Sequence, residues 1–186
     1  MIVSLIVIVV IGIWLMSMYN GLITLRNNVA NALRQIDVQL KRRHDLIPNL
    51  VAAVKGEMKF EQETLEKVVQ ARAAAMSVKP GNMKDLAAKE GELTAALGRL
   101  MMLKESYPSL KANEEVNKLM EELTHTENQI GFSRQFYNDI CTKFNTKQQV
   151  FPTNIFASML GFKPEELWEL PADSPERENV KVDLSF

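Results

Sequence analysis

The sequence predicts an all-α protein: a single N-terminal transmembrane helix followed by a long antiparallel helical bundle of three to four long helices. Three observations carry this. Residues 1–19 read MIVSLIVIVVIGIWLMSMY, with no charged side chain. After Leu22, apolar residues recur at alternating steps of three and four, the period of a helix face and not of a strand. The 186 residues hold only eight glycines and seven prolines, with no proline between Pro48 and Pro80, so long helices meet few breaks.

The N-terminal run is taken first. Eighteen helical residues span roughly 27 Å, close to a hydrocarbon core of about 30 Å. Its Ile and Val content would suit a strand in water, but the run is long and does not alternate. No Lys or Arg precedes it and no small-residue cleavage site follows, which argues against a cleaved signal peptide. Ile2, Val3, Leu5, Ile6, Ile8, Val9, Ile11, Trp14 and Leu15 are the candidate membrane-anchor residues. Arg26 and Arg34 precede the first acid, Asp37. The positive-inside rule therefore places the C-terminal part in the cytoplasm and the N-terminus outside.

Between Leu22 and Val54 the stripe comprises Leu22, Val29, Leu33, Ile36, Leu40, Ile47, Leu50 and Val54. It crosses Pro48 in phase. That favours a bent continuous helix; a turn at residues 44–48 making two antiparallel helices is the alternative. Leu50, Val54 and Met58 are spaced four and four, a stutter near Gly56, after which the line resumes through Leu65, Val68 and Arg72. Residues 78–82 form a turn by composition. A segment with Leu86, Leu93, Leu97, Leu100 and Leu103 follows, stopped at Tyr107-Pro108. Asn113 is a candidate N-cap for a helix to about Gln149. The seam of that helix is Val116, Met120, Leu123, Glu127, Ile130, Arg134, Tyr137, Cys141, Phe144 and Gln148. A short helix within residues 151–162, closed by Gly161, is expected to fold back onto the bundle end. From Pro171 the chain reads as a flexible tail, apart from residues 180–186.

Four charges fall on these seams: Arg26, Arg43, Glu127 and Arg134. A buried charge is unfavourable unless paired, so they are candidates for buried polar pairing, above all Glu127 with an arginine of the first segment. The competing account is that the stripe rotates and they stay wet. Arg42, His44, Asp45 and Asn49 gather near Pro48 as a candidate interaction patch, against the competing account that they cap and satisfy a kink.

Little points to chemistry. Net charge is −1, from 22 basic and 23 acidic residues, which gives no electrostatic case for nucleic acid. The single cysteine, Cys141, excludes an intramolecular disulfide and a thiolate metal cluster, and fits a reducing compartment. Glu121 and Glu122 lie four and three before His125 but read as solvated helix faces, not metal ligands. No phosphate-binding glycine loop or nucleophile elbow occurs. The expectation is no enzyme, no metal and no cofactor.

The runs QIDVQLKRRHDLIPNLV at 35–51, YPSLKAN at 107–113, TEN at 126–128, SRQFYN at 133–138 and FPTN at 151–154 resemble the LemA family. So do Tyr19-Asn20-Gly21-Leu22, Leu25-Arg26-Asn27, Thr64-Leu65 and Ala71-Arg72. The likeness extends from about Tyr19 to Trp168, departing at Leu33-Arg34 and Met58-Lys59-Phe60. It implies a bacterial inner-membrane protein with an antiparallel bundle and, by analogy, a part in membrane organisation; it implies no particular activity. The expected organisation is an anchor at 1–19, a LemA-like bundle at 20–168 and a tail at 169–186. The expected function is a non-enzymatic membrane-anchored scaffold that self-associates or organises the inner membrane. The alternative is a tethered adaptor recruiting a soluble partner through residues 107–112 or 151–162. Expected partners are the lipid bilayer, further copies of the chain as a homo-oligomer, and an unidentified protein.

Overall fold

The computed structural model describes residues 2–56, 62–79 and 81–169. Among these residues there are six helices and no strand: α1 (Ile2–Lys55), α2 (Gln62–Met76), α3 (Met83–Lys104), α4 (Pro108–Ala112), α5 (Glu114–Gln149) and α6 (Thr153–Met159). The described residues divide into two compact units, one drawn from residues 2–38 and 129–167 and the other from residues 39–128 and 168–169.

In the first unit every residue of α1 from 2 to 14 is exposed, although nearly all are large and apolar. Burial begins at Met18 and continues through Leu22, Val29, Ala32 and Ile36, one face of the helix. The α5 positions buried in this unit are Ile130, Tyr137, Cys141, Phe144 and Gln148. The end of α6 is set by Gly161, whose φ of +77° is a conformation that a Cβ disfavours. Gly161 N donates to Ser158 O (3.1 Å) and Phe162 N to Ala157 O (3.0 Å), the paired bonds of a Schellman cap. This reversal carries Phe162 between the helices: its ring lies 6.0 Å from that of Tyr19 and 6.3 Å from that of Phe144, both edge-on. The strap beyond is held by α5. Asn145 Nδ2 donates to Glu165 O, Glu165 N donates to Asn145 Oδ1, and Tyr137 Oη donates to Glu166 O, at 2.8–2.9 Å.

The second unit has a continuous apolar core built from Ile47, Leu50 and Val54 of α1, Leu65 and Val68 of α2, Leu93, Leu97 and Leu100 of α3, Leu110 of α4, and Val116, Met120 and Leu123 of α5. α1 runs unbroken through Pro48, so no hairpin forms at 44–48. Proline lacks the N–H that would bond the carbonyl four residues back, which is that of His44. Arg72 Nε supplies the missing donor at 2.8 Å. This bond also shows that the chain has turned round. In one straight helix, 28 residues would separate the two by about 42 Å. The apolar line that keeps phase beyond Val54 is therefore not one helix: α1 stops at Lys55 and α2 begins at Gln62. Met58, the last residue of the stutter, lies outside the described residues.

α2 and α3 pack against each other, joined by a short turn in which Gly81 takes φ +90°. Asn82 caps α3 by accepting from Asp85 N at 3.1 Å, and Asn113 caps α5 by accepting from Val116 N at 3.1 Å. Pro108 does more than stop α3: it occupies the first position of α4, where its missing N–H is harmless. Residues 170–186, with the expected tail and its final 180–186 stretch, lie outside the described residues.

Candidate functional site

Two constellations hold the polar and aromatic groups of interest, one in each unit. In the second, Arg43 is 1% exposed. Its guanidinium forms ion pairs with Glu90, also 1% exposed, and with Glu127, whose side chain is one-third exposed. Nη1 also donates to Thr94 Oγ1 at 3.0 Å, and Thr94 Oγ1 donates to Glu127 Oε1 at 3.0 Å. His44 Nε2 stands 3.0 Å from Glu90 Oε1 without the alignment of a full hydrogen bond. Burial pushes the Glu90 carboxyl up, but the His44 contact and the Arg43 charge outweigh it and hold the group below the ordinary carboxylate range. With one guanidinium shared between carboxylates of two other helices, the cluster ties α1, α3 and α5 together in one register.

The structure thus brings Arg43 and Glu127 together. Arg26 is exposed, with its guanidinium carbon 6.0 Å from the Phe162 ring centroid. The account of Arg26 as a buried partner is therefore corrected: the aromatic ring beneath it supplies a cation–π contact at the surface. Arg134 is half-buried on the α5 stretch of the first unit. The four residues proposed as one patch divide. His44 is buried against Glu90, whereas Asp45 and Asn49 are exposed and Arg42 pairs with Glu122 at 3.7 Å in solvent. His44 is removed from the patch because its ring lies over the core side of α1.

Glu90 and Arg72 are the members that the sequence reading left out of the pairing set. Glu90 was visible as a register position, seven before Leu97 and three before Leu93, both fully or nearly buried. Arg72 stands on the apolar line, yet its role depends on the reversal between α1 and α2.

In the first unit the site is aromatic. Trp14 of α1 and Phe156 of α6 meet edge-on at 6.2 Å, and Phe162 joins Tyr19 to Phe144. Burial raises the Cys141 thiol and, more strongly, the Tyr137 hydroxyl above their ordinary values. A thiol kept protonated and fully buried is packing, not a nucleophile. The apolar anchor candidates Ile2, Val3, Leu5, Ile6, Ile8, Val9, Ile11 and Trp14 are exposed, and Leu15 is half-buried. Among the described residues α1 is the one helix long and apolar enough to cross a membrane.

The model of the LemA family matches residues 32–184. The chain belongs to the LemA family. This LemA-family match opens inside α1, after the apolar run, and extends beyond Trp168. Among curated relatives, the chain is 29% identical to Protein LemA of Metamycoplasma hominis, over 89% of this chain and 74% of that protein. It is 25% identical to Magnetosome protein MamQ 2 of Paramagnetospirillum magneticum, over 94% and 74%. It is also 24% identical to Magnetosome protein MamQ of Magnetospirillum gryphiswaldense, over 87% and 69%.

Proposed function

We propose that the chain is a non-enzymatic scaffold, anchored in the bacterial inner membrane by residues 2–19, whose helical part self-associates and organises that membrane. The observation that carries this reading is the exposure of every residue from 2 to 14 on a helix long enough to span a bilayer. Each large apolar side chain left in water forfeits on the order of 1.5–3 kcal/mol. The buried charges Arg43 and Glu90 tie helices to one another, which supports a structural role. The two magnetosome relatives support association with a membrane. Arg26 and Arg34 support a cytoplasmic helical part with the N-terminus outside.

The test is extraction and size. The full chain is expected to stay with membranes in alkaline carbonate and to be spared when protease is applied from outside. Cross-linking in native membranes is expected to give ladders of the chain with itself. Release by carbonate would overturn the anchor, and digestion of the bulk from outside would overturn the orientation. A monomer joined to one soluble protein would replace the scaffold with the adaptor.

A further inference from the structure

α6 leaves a face uncovered. Thr153 and Ala157 form its buried side. Ile155 and Met159, four residues apart, share the other side and are 51% and 80% exposed; Phe151, 79% exposed, lies in the turn just before the helix. Val150 and Leu160 flank this face and are exposed too. No ionisable side chain occurs from Val150 to Phe162, while Lys147 and Lys163 stand just outside that stretch. Seven residues are too few for a helix to form on its own strength, so α6 is held by its surroundings. Those surroundings present its apolar face outward.

A ring contact fixes the depth of this face. Phe156, one residue on from Ile155, lies 6.2 Å from Trp14. Trp14 is five residues before Tyr19, where the apolar run ends, so it stands about 7 Å inside that end along the helix. This is the layer where hydrocarbon gives way to headgroups, and where the apolar face of an interfacial helix is buried by about 5–10 Å.

We propose that α6 and its flanks are a second membrane contact, with the Ile155 and Met159 face, and Phe151 before it, immersed in the leaflet through which α1 leaves the bilayer. The proposal rests on the reading of α1 as an anchor, but not on its orientation. Lipid is the occupant because the face adjoins, through Phe156 and Trp14, the segment that lipid surrounds. Lys147 and Lys163 then flank it at the level of lipid phosphates. Immersed on one side only, α6 expands one leaflet relative to the other, which gives a membrane-organising protein a physical means of acting.

The experiment uses the full chain in phosphatidylcholine–phosphatidylglycerol vesicles. A bimane probe is placed at Met159→Cys or, as reference, at the exposed α5 position Gln135→Cys; the fully buried Cys141 stays in place. Some vesicles contain lipid bearing a nitroxide near the headgroup end of its acyl chain. The probe at 159 is expected to emit further to the blue, and to be quenched by the nitroxide several-fold more than the probe at 135. Tenfold dilution of protein in lipid is expected to leave both effects unchanged. Equal quenching at the two positions overturns the proposal. A blue shift that disappears on dilution gives the face to a second copy of the chain and also overturns it. Carbonate extraction of the same vesicles separates the two failures. A chain that is retained but unquenched sinks the α6 contact alone, whereas a chain that is released sinks the anchor as well.

Discussion

Along residues 129–149 of α5, the buried positions in the first unit are Ile130, Tyr137, Cys141, Phe144 and Gln148, and the ring that closes the packing is Phe162. Along residues 114–128, in the second unit, they are Val116, Met120, Leu123 and Thr126, and the group that closes the packing is the Arg43–Glu90–Glu127 cluster. One helix with one seam thus meets two kinds of partner. Aromatic rings tolerate sliding, because any edge meets any face. A buried guanidinium with two carboxylates does not, because a shift by one turn would strand charge in the core. Apolar repeats such as that of α3 could pair with α1 and α5 in several registers, and the ionic cluster selects one.

The sharpest way to break this comparison is Arg43→Ala. It leaves Glu90 charged and buried, and about 3–5 kcal/mol of stability is expected to be lost in denaturant unfolding of the full chain in detergent. Hydrogen exchange should rise first in α3, which carries Glu90 and Thr94. Pairing Arg43→Met with Glu90→Leu should restore most of the loss; failure to do so would mean that a stranded Glu90 charge is not what destabilises the single variant. Acid probes the same group. Glu90 is held below the ordinary carboxylate range, so its contribution is complete above that range and declines as pH falls through its lowered value. Protection of α3 should therefore fall in acid, and Glu90→Gln should flatten that dependence.

For the aromatic unit the matching test is Phe162→Ala, with an expected loss of about 3 kcal/mol and exchange rising first at residues 137–149. If both variants open the same segments, the two units do not differ in the way argued here. Arg72→Ala should cost about 1.5–2 kcal/mol, since it strips a charged donor from a carbonyl that Pro48 has orphaned. In a Pro48→Ala background the helix supplies its own donor, and the penalty should shrink; a double-mutant cycle measures the difference. The smallest effect is expected from Arg42→Ala. Its partner Glu122 is solvent-exposed, and a melting curve shifted by less than about 0.5 kcal/mol would confirm that the pair is incidental.

Much of this was legible in the chain because a helix writes its buried face every three or four residues. The seam of α5 is buried at the apolar positions that the spacing names, and Asn113 and Gly161 mark their helix ends by residue type alone. The phase across Pro48 is that of the unbroken helix found there. The same periodicity hid the end of α1, since apolar spacing kept its phase where the chain reversed. Glu90 was overlooked because only apolar residues were counted on the α3 seam, although its position fits the repeat.

By itself, the sequence determined that the chain is helical, which apolar residues lie on the buried side of the long helices, and that residues 2–19 are apolar enough for lipid, because these depend on neighbours three and four residues away. Only the tertiary structure decided that Arg72 serves the carbonyl of His44, that Glu90 shares Arg43 with Glu127, and that Phe156 reaches Trp14. Those pairings join residues 28 to 142 positions apart. Local spacing carries no information about partners brought together by a reversal of the chain.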